Sequence, residues 1–175
     1  DSPKSEQMAL KAGDSEGVYM VPAFTGIGAP YWEPDARGAI FGITRGTDRN
    51  QIVRATLESL AYQNEDLLSA MAEDLGRRIV ALKVDGGACR NNFLMQFQAD
   101  VSDTEIVRCK SIESTSLGAA YLAGLAVGYY DSTDDIIENK EVDRVFRPEM
   151  DEAKRAALLK GWHKAVKAAI RLAEE

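Results

Sequence analysis

The chain has 175 residues, of which 45% are hydrophobic and 28% charged, a composition typical of a single globular domain. Its 21 basic and 28 acidic side chains give a net charge of -7, which repels phosphate backbones and anionic lipid surfaces. The charge balance therefore excludes nucleic acid and membranes as expected partners.

The cysteines, the histidine and the first residues favour a cytoplasmic protein without a metal site. Cys89 and Cys109 lie far apart with no metal-ligand spacing, so we expect neither a disulfide framework nor a zinc site. His163 is the only histidine and has no candidate ligand near it, so we expect a packing or solvated role. The chain has no signal-peptide core and no apolar run of 18 or more residues.

The first half predicts a hairpin and then a long helix. Residues 1–16 are polar and are interpreted as the end of an upstream helix or a connector. GVYMVPAF and AIFGIT, residues 17–24 and 39–44, read as strands joined by a loop rich in glycine and proline. Asp48 and Gln51 form a potential capping box, and Gly76 is a suitable helix end. The helix between them is expected to bury an apolar stripe formed by Val53, Leu57, Leu60, Leu67, Met71 and Leu75.

The second half alternates strands and helices. RIVALKVDGG is a continuous apolar strand, which we expect to be central and covered on both faces. NNFLMQFQADVSD reads as a helix, TEIVRC as a strand, and SIESTSLGAAYLAGLAVGYY as a helix whose small residues allow tight packing on a sheet or a neighbour. This order predicts parallel strand pairing. The remainder reads as a short helix in STDDIIENK, a connector with Val145, Phe146 and Pro148, and a long charged helix.

The stretch VDGGACRNNF carries the first sign of chemistry. Gly86 and Gly87 follow a predicted strand, where ligands of open α/β sheets bind near the start of the next helix. Two residues without Cβ atoms let a base, ribose or phosphate approach the backbone, and Asn91 offers both a donor and an acceptor. Half a nucleotide site and a simple strand-to-helix turn both remain open here.

Other nucleotide motifs are absent. TGIGAP is not a dinucleotide fingerprint, because Pro30 and Pro34 prevent the helix that must follow it. No GxxxxGK occurs, which excludes a P-loop. A dinucleotide-binding enzyme is therefore not supported.

Longer segments resemble the FGGY family of carbohydrate kinases. GAIFGITRGTDRNQIVRATLE, residues 38–58, resembles the family signature, VDGGACRNNFLMQFQAD its adenosine-binding segment, and ESTSLGAAYLAGLAVG the helix facing that segment. VPAFTGIGAPYWEPDARG resembles the glycerol kinase branch, whereas xylulokinases tend to carry a different stretch there. The resemblance runs from about residue 17 to 170.

The resemblance implies an α/β, ribonuclease H-like domain of the actin, Hsp70 and hexokinase ATPase superfamily, represented by its C-terminal part. Residues 17–175 would be most of the nucleotide-binding domain of a cytoplasmic, homo-oligomeric kinase that uses ATP and magnesium to convert glycerol to sn-glycerol 3-phosphate. Gly87 and Asn91 would contact the nucleotide, with Gly86 shaping the turn beside them. Cys89 and Arg90 depart from the small apolar residues expected there.

Phosphoryl transfer also needs positioned phosphates, a metal ion and a base, and we identify no catalytic residue in this chain. The resemblance implies that the phosphate loops, the glycerol-binding residues and the aspartate base belong to N-terminal sequence. Asp85, at a strand end expected to be buried, is interpreted as a structural hydrogen-bonding residue. The chain alone is predicted to be inactive. The alternatives are another FGGY sugar or polyol kinase, such as a xylulokinase, and a noncatalytic module that binds partners through its amphipathic helices.

Overall fold

A computed structural model describes residues 2–110, 114–138 and 141–174 as a mixed α/β structure. The predicted beginning of one helix at residues 111–113 and the end of another at 139–140 lie outside these ranges. A 3₁₀ turn spans Gly87–Arg90. The elements in chain order are α1 (Ser2–Ala12), β1 (Tyr19–Val21), β2 (Ala39–Phe41), α2 (Arg49–Leu75), β3 (Ala81–Val84), α3 (Asn92–Ser102), β4 (Glu105–Cys109), α4 (Ser114–Ala126), α5 (Thr133–Glu138), β5 (Val142–Phe146) and α6 (Glu152–Ala173).

The strands form two small sheets. β1 and β2 pair antiparallel, with Tyr19 opposite Phe41, which confirms the predicted hairpin. β3 and β4 pair parallel, with Val84 opposite Arg108, as the alternation of strands and helices predicts. The three-stranded sheet has the order β3-β4-β5, so the carboxyl ends of β3 and β4 meet at one edge.

The prediction of a connector around Val145 and Phe146 is wrong. Residues 142–146 form β5, which pairs antiparallel with β4 and places Phe146 opposite Ile106. Only Phe146 is fully buried in this strand, and its first three residues are exposed. Charged residues on an outer strand are common because they discourage pairing with other chains, and here they hide the strand pattern.

The prediction that β3 is central is also wrong for the part of the chain that the structure describes. β3 lies at the end of its sheet, and Val80 just before it is 73% exposed. Exposed Ala81 and Lys83 alternate with half-buried Leu82 and Val84. This alternation with a period of two is typical of a strand with one covered face. The sequence does not show it, because the residues on both sides of Lys83 are apolar.

Helix α2 begins and ends where the sequence predicts. The Asp48 side chain accepts from the Asn50 and Gln51 amides, the Gln51 side chain accepts from the Asp48 amide, and Gly76 closes the helix with φ of 62°. Such caps satisfy amides and carbonyls that have no partner inside the helix. The helix boundaries are therefore confirmed.

The face of α2 that is buried differs from the prediction. Four residues of the predicted apolar stripe are 39 to 55% exposed, namely Leu60, Leu67, Met71 and Leu75, whereas Val53 and Leu57 are half-buried. The buried face instead carries polar side chains, among them Glu58, Ser59 and Asp66. Buried polar groups are tolerated when they are hydrogen-bonded, so periodicity of apolar residues alone selected the wrong face.

An aromatic cluster lies at the centre of the core. The Tyr62 ring stacks on Trp162 of α6 with centroids 5.3 Å apart and meets Phe97 of α3 edge-on at 5.4 Å. These rings join α2, α3 and α6, and such pairs add to the free energy of simple area burial. The long terminal helix predicted from the sequence is thus part of the core.

Helix α4 does not show the tight packing predicted from its small residues. Leu122 of this helix and Val127 just after it are strongly exposed, and a Cβ at Gly118 would meet no described atom within 4 Å. A Cβ at Gly124 would lie 2.7 Å from the Tyr130 ring, so this glycine is closely packed. The small residues therefore leave an open surface in this chain.

No helix within the described ranges is both long and apolar enough to cross a membrane.

Candidate functional site

The turn after β3 presents bare backbone at the carboxyl end of a parallel strand pair. Gly86 has φ of 82°, a conformation that side chains with a Cβ rarely adopt. Gly87 is exposed, and a Cβ on either glycine would meet nothing within 4 Å. The strand-to-helix turn thus explains Gly86, while the open space over Gly87 leaves room for a ligand.

The turn is held together by its own hydrogen bonds. The Gly86 carbonyl accepts from the Cys89 amide at 3.2 Å and from the Cys89 thiol at 2.8 Å. Cys89 is buried, and burial raises the pKa of its thiol, so the residue is a neutral packing group rather than a nucleophile. The side chain that departs from the family pattern points inward and leaves the glycine backbone uncovered.

Asn91 lies beside the glycines in sequence, but its side chain is buried. It is the N-cap of α3, and its Oδ1 accepts from the Leu94 amide at 3.0 Å. Its Nδ2 lies 3.5 Å from Ser5 Oγ on α1. The structure therefore brings Gly86 and Gly87 to one surface and gives Asn91 a capping role, which its position before a helix indicates. Its contact with a nucleotide stays a prediction.

A cavity of about 410 Å³ opens next to the turn. Apolar Leu60, Leu94 and Met95 line it together with polar side chains such as Gln98. Asp85 also lines it and is exposed, which corrects the expectation of a buried strand end. A mainly apolar cavity of this size with a few polar groups is suited to a small-molecule ligand.

Arg108 of β4, which sequence reasoning missed, binds the backbone of the glycine turn. Its Nη1 donates to the Cys89 carbonyl at 2.8 Å and to Asn92 Oδ1 at 3.1 Å. Its Nε contacts Asp143 of β5 at 2.6 Å, and only 12% of the side chain is exposed. A charged residue directly after the apolar pair Ile106 and Val107, near the end of a strand, is the sequence signal for this role.

A second cavity, of about 320 Å³, lies between α2, α3 and α6. Its basic side chains, Arg78 and Arg155, both pair with Asp103, and these contacts hold the pKa of Asp103 below its usual value. Because Asp103 already pairs with both guanidinium groups, the three side chains leave only one net positive charge, and this cavity is less suited to an anion. Among residues 2–110, 114–138 and 141–174, no group of three acidic, cysteine or histidine side chains could hold a metal ion.

Comparison with known families gives a match over most of the chain. The family described as FGGY family of carbohydrate kinases, C-terminal domain, matches residues 2–127. The match includes the capped helix α2, the glycine turn and all of α4.

Curated relatives are named glycerol kinase. That of Caldanaerobacter subterraneus subsp. tengcongensis is 58% identical over 175 residues, that of Haemophilus influenzae 57% over 175 residues, and that of Vibrio cholerae 59% over 169 residues. These matches include 97 to 100% of this chain. The chain spans only 34 to 35% of the length of the relatives.

Solved structures show the same fold. Plasmodium falciparum glycerol kinase with ADP matches with a TM-score of 0.87 and 40% identity, over 97% of this chain and 34% of that one. A ligand-bound xylulose kinase from Lactobacillus acidophilus matches with a TM-score of 0.78 and 26% identity, over 98% of this chain and 34% of that one. The fold expected from the resemblance, the C-terminal part of a ribonuclease H-like domain of the actin, Hsp70 and hexokinase superfamily, is confirmed.

Proposed function

Because the chain belongs to the FGGY family of carbohydrate kinases, we propose that it is the nucleotide-binding portion of a glycerol kinase, which transfers a phosphoryl group from ATP to glycerol. The glycerol kinases above are 57 to 59% identical to this chain, whereas solved xylulose kinases reach 22 to 26%. That difference favours glycerol over a pentose as the acceptor.

The exposed glycine backbone carries the proposal. Gly87 leaves room for the adenosine end of ATP at the carboxyl end of β3, and Gly86 gives the turn its shape. Asn91 caps α3, so that the amides at the helix start stay in place. A partial positive charge at a helix N-terminus favours the phosphates. The relative from Plasmodium falciparum was solved with ADP, which supports a nucleotide as a ligand of the proposed kinase.

In this proposal the chain binds and orients the nucleotide and supplies no catalytic group. Phosphoryl transfer needs a base for the glycerol hydroxyl and Mg²⁺ at the phosphates. Mg²⁺ usually takes one or two carboxylates in addition to phosphate oxygens, and the described residues offer no metal-binding group of three side chains. We assign the base and the metal ligands to the remainder of the kinase. Residues 17–175 then form most of the nucleotide-binding domain, residues 1–16 the end of an upstream helix or a connector, and the enzyme is a cytoplasmic homo-oligomer.

Filling the space over the glycine turn tests the nucleotide site. In the full-length kinase, Gly87→Trp is expected to weaken ADP binding by at least about tenfold, because each factor of ten needs only 1.4 kcal/mol. Gly46→Trp, in the exposed turn between β2 and α2, is the control and should leave the affinity within about twofold. Calorimetric titration with ADP measures both. Unaltered ADP affinity in Gly87→Trp contradicts the proposed site.

A panel of acceptors tests the substrate. With ATP and Mg²⁺, the full-length kinase is expected to phosphorylate glycerol with a higher kcat/KM than xylulose or other polyols. The 175-residue chain alone should give no product with any of them, because it lacks the base. A preference for a pentose would identify a xylulokinase, and nucleotide binding without turnover of any acceptor by the full-length protein would identify a noncatalytic module.

A further inference from the structure

Two arginines face each other across β4 and β5 but make different contacts. Arg108 and Arg144 are register partners, and each places its guanidinium near the Phe146 ring, at 5.2 and 4.6 Å respectively. Arg144 is exposed. Arg108 is mostly buried and reaches the glycine turn. Substitution of Arg144 therefore tests the loss of a cation beside the Phe146 ring, whereas substitution of Arg108 also removes the contact with the turn.

The sheet directs Arg108 toward the turn. Arg108 lies opposite Val84, the last residue of β3, so it is level with the point where the glycine turn begins. The β4-β5 register shifts between Arg108 and Cys109, and such irregularities commonly redirect a side chain. Asp143 on β5 holds the Nε edge of the guanidinium, which leaves Nη1 facing the turn.

The contacts of Nη1 join the 3₁₀ turn to the start of α3. One acceptor is the carbonyl of Cys89, whose thiol and amide both bind the Gly86 carbonyl. The other is Asn92 Oδ1 at the first residue of α3. A planar guanidinium fixes several acceptors at once, unlike the single ammonium of lysine.

We propose that Arg108 is a positioning residue of the kinase, which holds the glycine turn in the conformation that receives the nucleotide. This inference rests on the proposed nucleotide site at Gly86 and Gly87. Arg108 does not touch the ligand. It acts through the backbone of Cys89 and through Asn92, and a small displacement of a binding backbone can cost much of the affinity.

Variants of the full-length kinase test this role. Arg108→Met is expected to raise the Kd for ADP and the KM for ATP by about tenfold, since hydrogen bonds to a charged donor are the stronger class. The KM for glycerol should change by less than about twofold, because only the glycine turn at the nucleotide site is displaced. Arg108→Lys, which keeps the charge and one donor group, should lie between the two. Arg144→Met is the matched control and should change none of these constants by more than about twofold.

Two further measurements keep the result decisive. Asp143→Asn, at a half-exposed position outside the turn, removes the negative charge that pairs with Nε of Arg108. It should raise the Kd for ADP by about threefold, consistent with the modest free energy of a partly exposed ion pair. Amides 87–91 should exchange hydrogen faster in each weakened variant, because the turn opens locally.

The outcomes distinguish this inference from the site on which it rests. If Gly87→Trp weakens ADP binding and folded Arg108→Met, Arg108→Lys and Asp143→Asn do not, Arg108 has no positioning role. If Arg108→Met does not fold and the other two leave ADP affinity unchanged, the inference is also rejected. If Gly87→Trp itself has no effect, the nucleotide site is wrong and the inference falls with it. Equal increases in both KM values would show a general loss of structure instead of positioning.

Discussion

Asp66 joins three parts of the chain through one buried carboxylate. Its Oδ2 accepts from the Tyr31 hydroxyl at 3.0 Å and from Trp162 Nε1 at 2.7 Å. Its Oδ1 lies 2.8 Å from His163 Nε2. Burial and the charge of Asp66 raise the pKa of Tyr31 well above its usual value, so Tyr31 stays a donor. The carboxylate thus fixes the glycine-rich loop and α6 on α2.

Asp66→Asn tests this connection. The amide nitrogen of asparagine must face at least one donor, so we expect a loss of about 2 to 3 kcal/mol in the free energy of unfolding, as for buried hydrogen bonds to charged groups. Asp74→Asn, exposed on the same helix, should change it by less than about 0.5 kcal/mol. Urea unfolding of both variants measures the difference. Equal stability of the two would show that the carboxylate has no special role.

Glu58 gives stability an unusual dependence on pH. It is almost fully buried, and this burial raises its pKa above the ordinary 4.5 although its ion pair with Arg54 acts in the opposite direction. The folded state therefore holds the proton to a higher pH than the unfolded state. Protonated Glu58 therefore contributes to the free energy of unfolding below pH 4.5, and this contribution is lost as the pH rises through the raised pKa.

Glu58→Gln removes this titration. As the pH is raised from 4.5, the free energy of unfolding of wild type should fall relative to that of Glu58→Gln, because only wild type must ionise a buried carboxyl. Glu73→Gln, at an exposed position on the same helix, is the matched substitution outside the buried face. Urea unfolding across this pH range measures both series. A difference that changes in the opposite direction would mean that Arg54 outweighs burial and lowers the pKa.

At the scale of single residues, the sequence predicts groups that act on their own neighbours. Asp48, Gln51 and Gly76 were identified because a helix cap depends on residues a few positions apart. Asp66 and Arg108 were not identified, since their partners lie up to 97 positions away. The glycine pair could be located from the sequence, but the arginine that holds it could not.

Helix α6 fits against β1 because Gly161 has no side chain. A Cβ there would lie 2.1 Å from the Tyr19 hydroxyl oxygen and 2.4 Å from its Cζ. That hydroxyl donates to the Leu158 carbonyl at 3.2 Å. In a helix, glycine is otherwise less favourable than alanine by about 1 kcal/mol, so close contact between the two elements explains its presence.

Gly161→Ala should reverse the usual preference of helices for alanine. We expect a loss of about 1 to 3 kcal/mol in the free energy of unfolding, as in other overpacked cores. Gly118→Ala in α4, where a Cβ meets open space in this chain, should be neutral or stabilise by up to about 1 kcal/mol. Urea unfolding of the two variants gives the comparison. Adding Tyr19→Leu to Gly161→Ala should remove most of the loss, and a full loss in the double variant would exclude Tyr19 as its cause.

At the scale of elements, the sequence predicts helix boundaries better than helix faces. The caps of α2 fixed both of its ends, but its apolar stripe pointed to the wrong side because Glu58 and Asp66 are buried with partners. The strand β5 was missed because its first three residues are exposed. Both errors have the same physical origin, which is that burial of polar groups and exposure of charged strands depend on long-range pairing.

At the scale of the whole molecule, two helices leave apolar surface uncovered. Leu60, Leu67, Met71 and Leu75 share a face of α2, and Leu122 lies on α4, all with at least 39% exposure. Contiguous apolar surface of this kind is uncommon on a soluble monomer and marks an interaction. The relatives are about three times as long as this chain, which spans 35% of their length. We expect the remaining part of a kinase of that length to cover the α2 face.

Lysine substitutions test the cover over α2. Leu67→Lys should lower the fluorescence of a hydrophobic dye bound to the 175-residue chain, because it divides an exposed apolar stripe. In the full-length kinase the same change should cost about 1 to 3 kcal/mol in the free energy of unfolding, since a covered leucine is replaced by a charge. Leu172→Lys on α6, at a position 72% exposed, is the matched control for both. If Leu67→Lys is as harmless in the full-length kinase as in the shorter chain, the α2 face is open to solvent in both, and a partner outside the kinase becomes the occupant to seek.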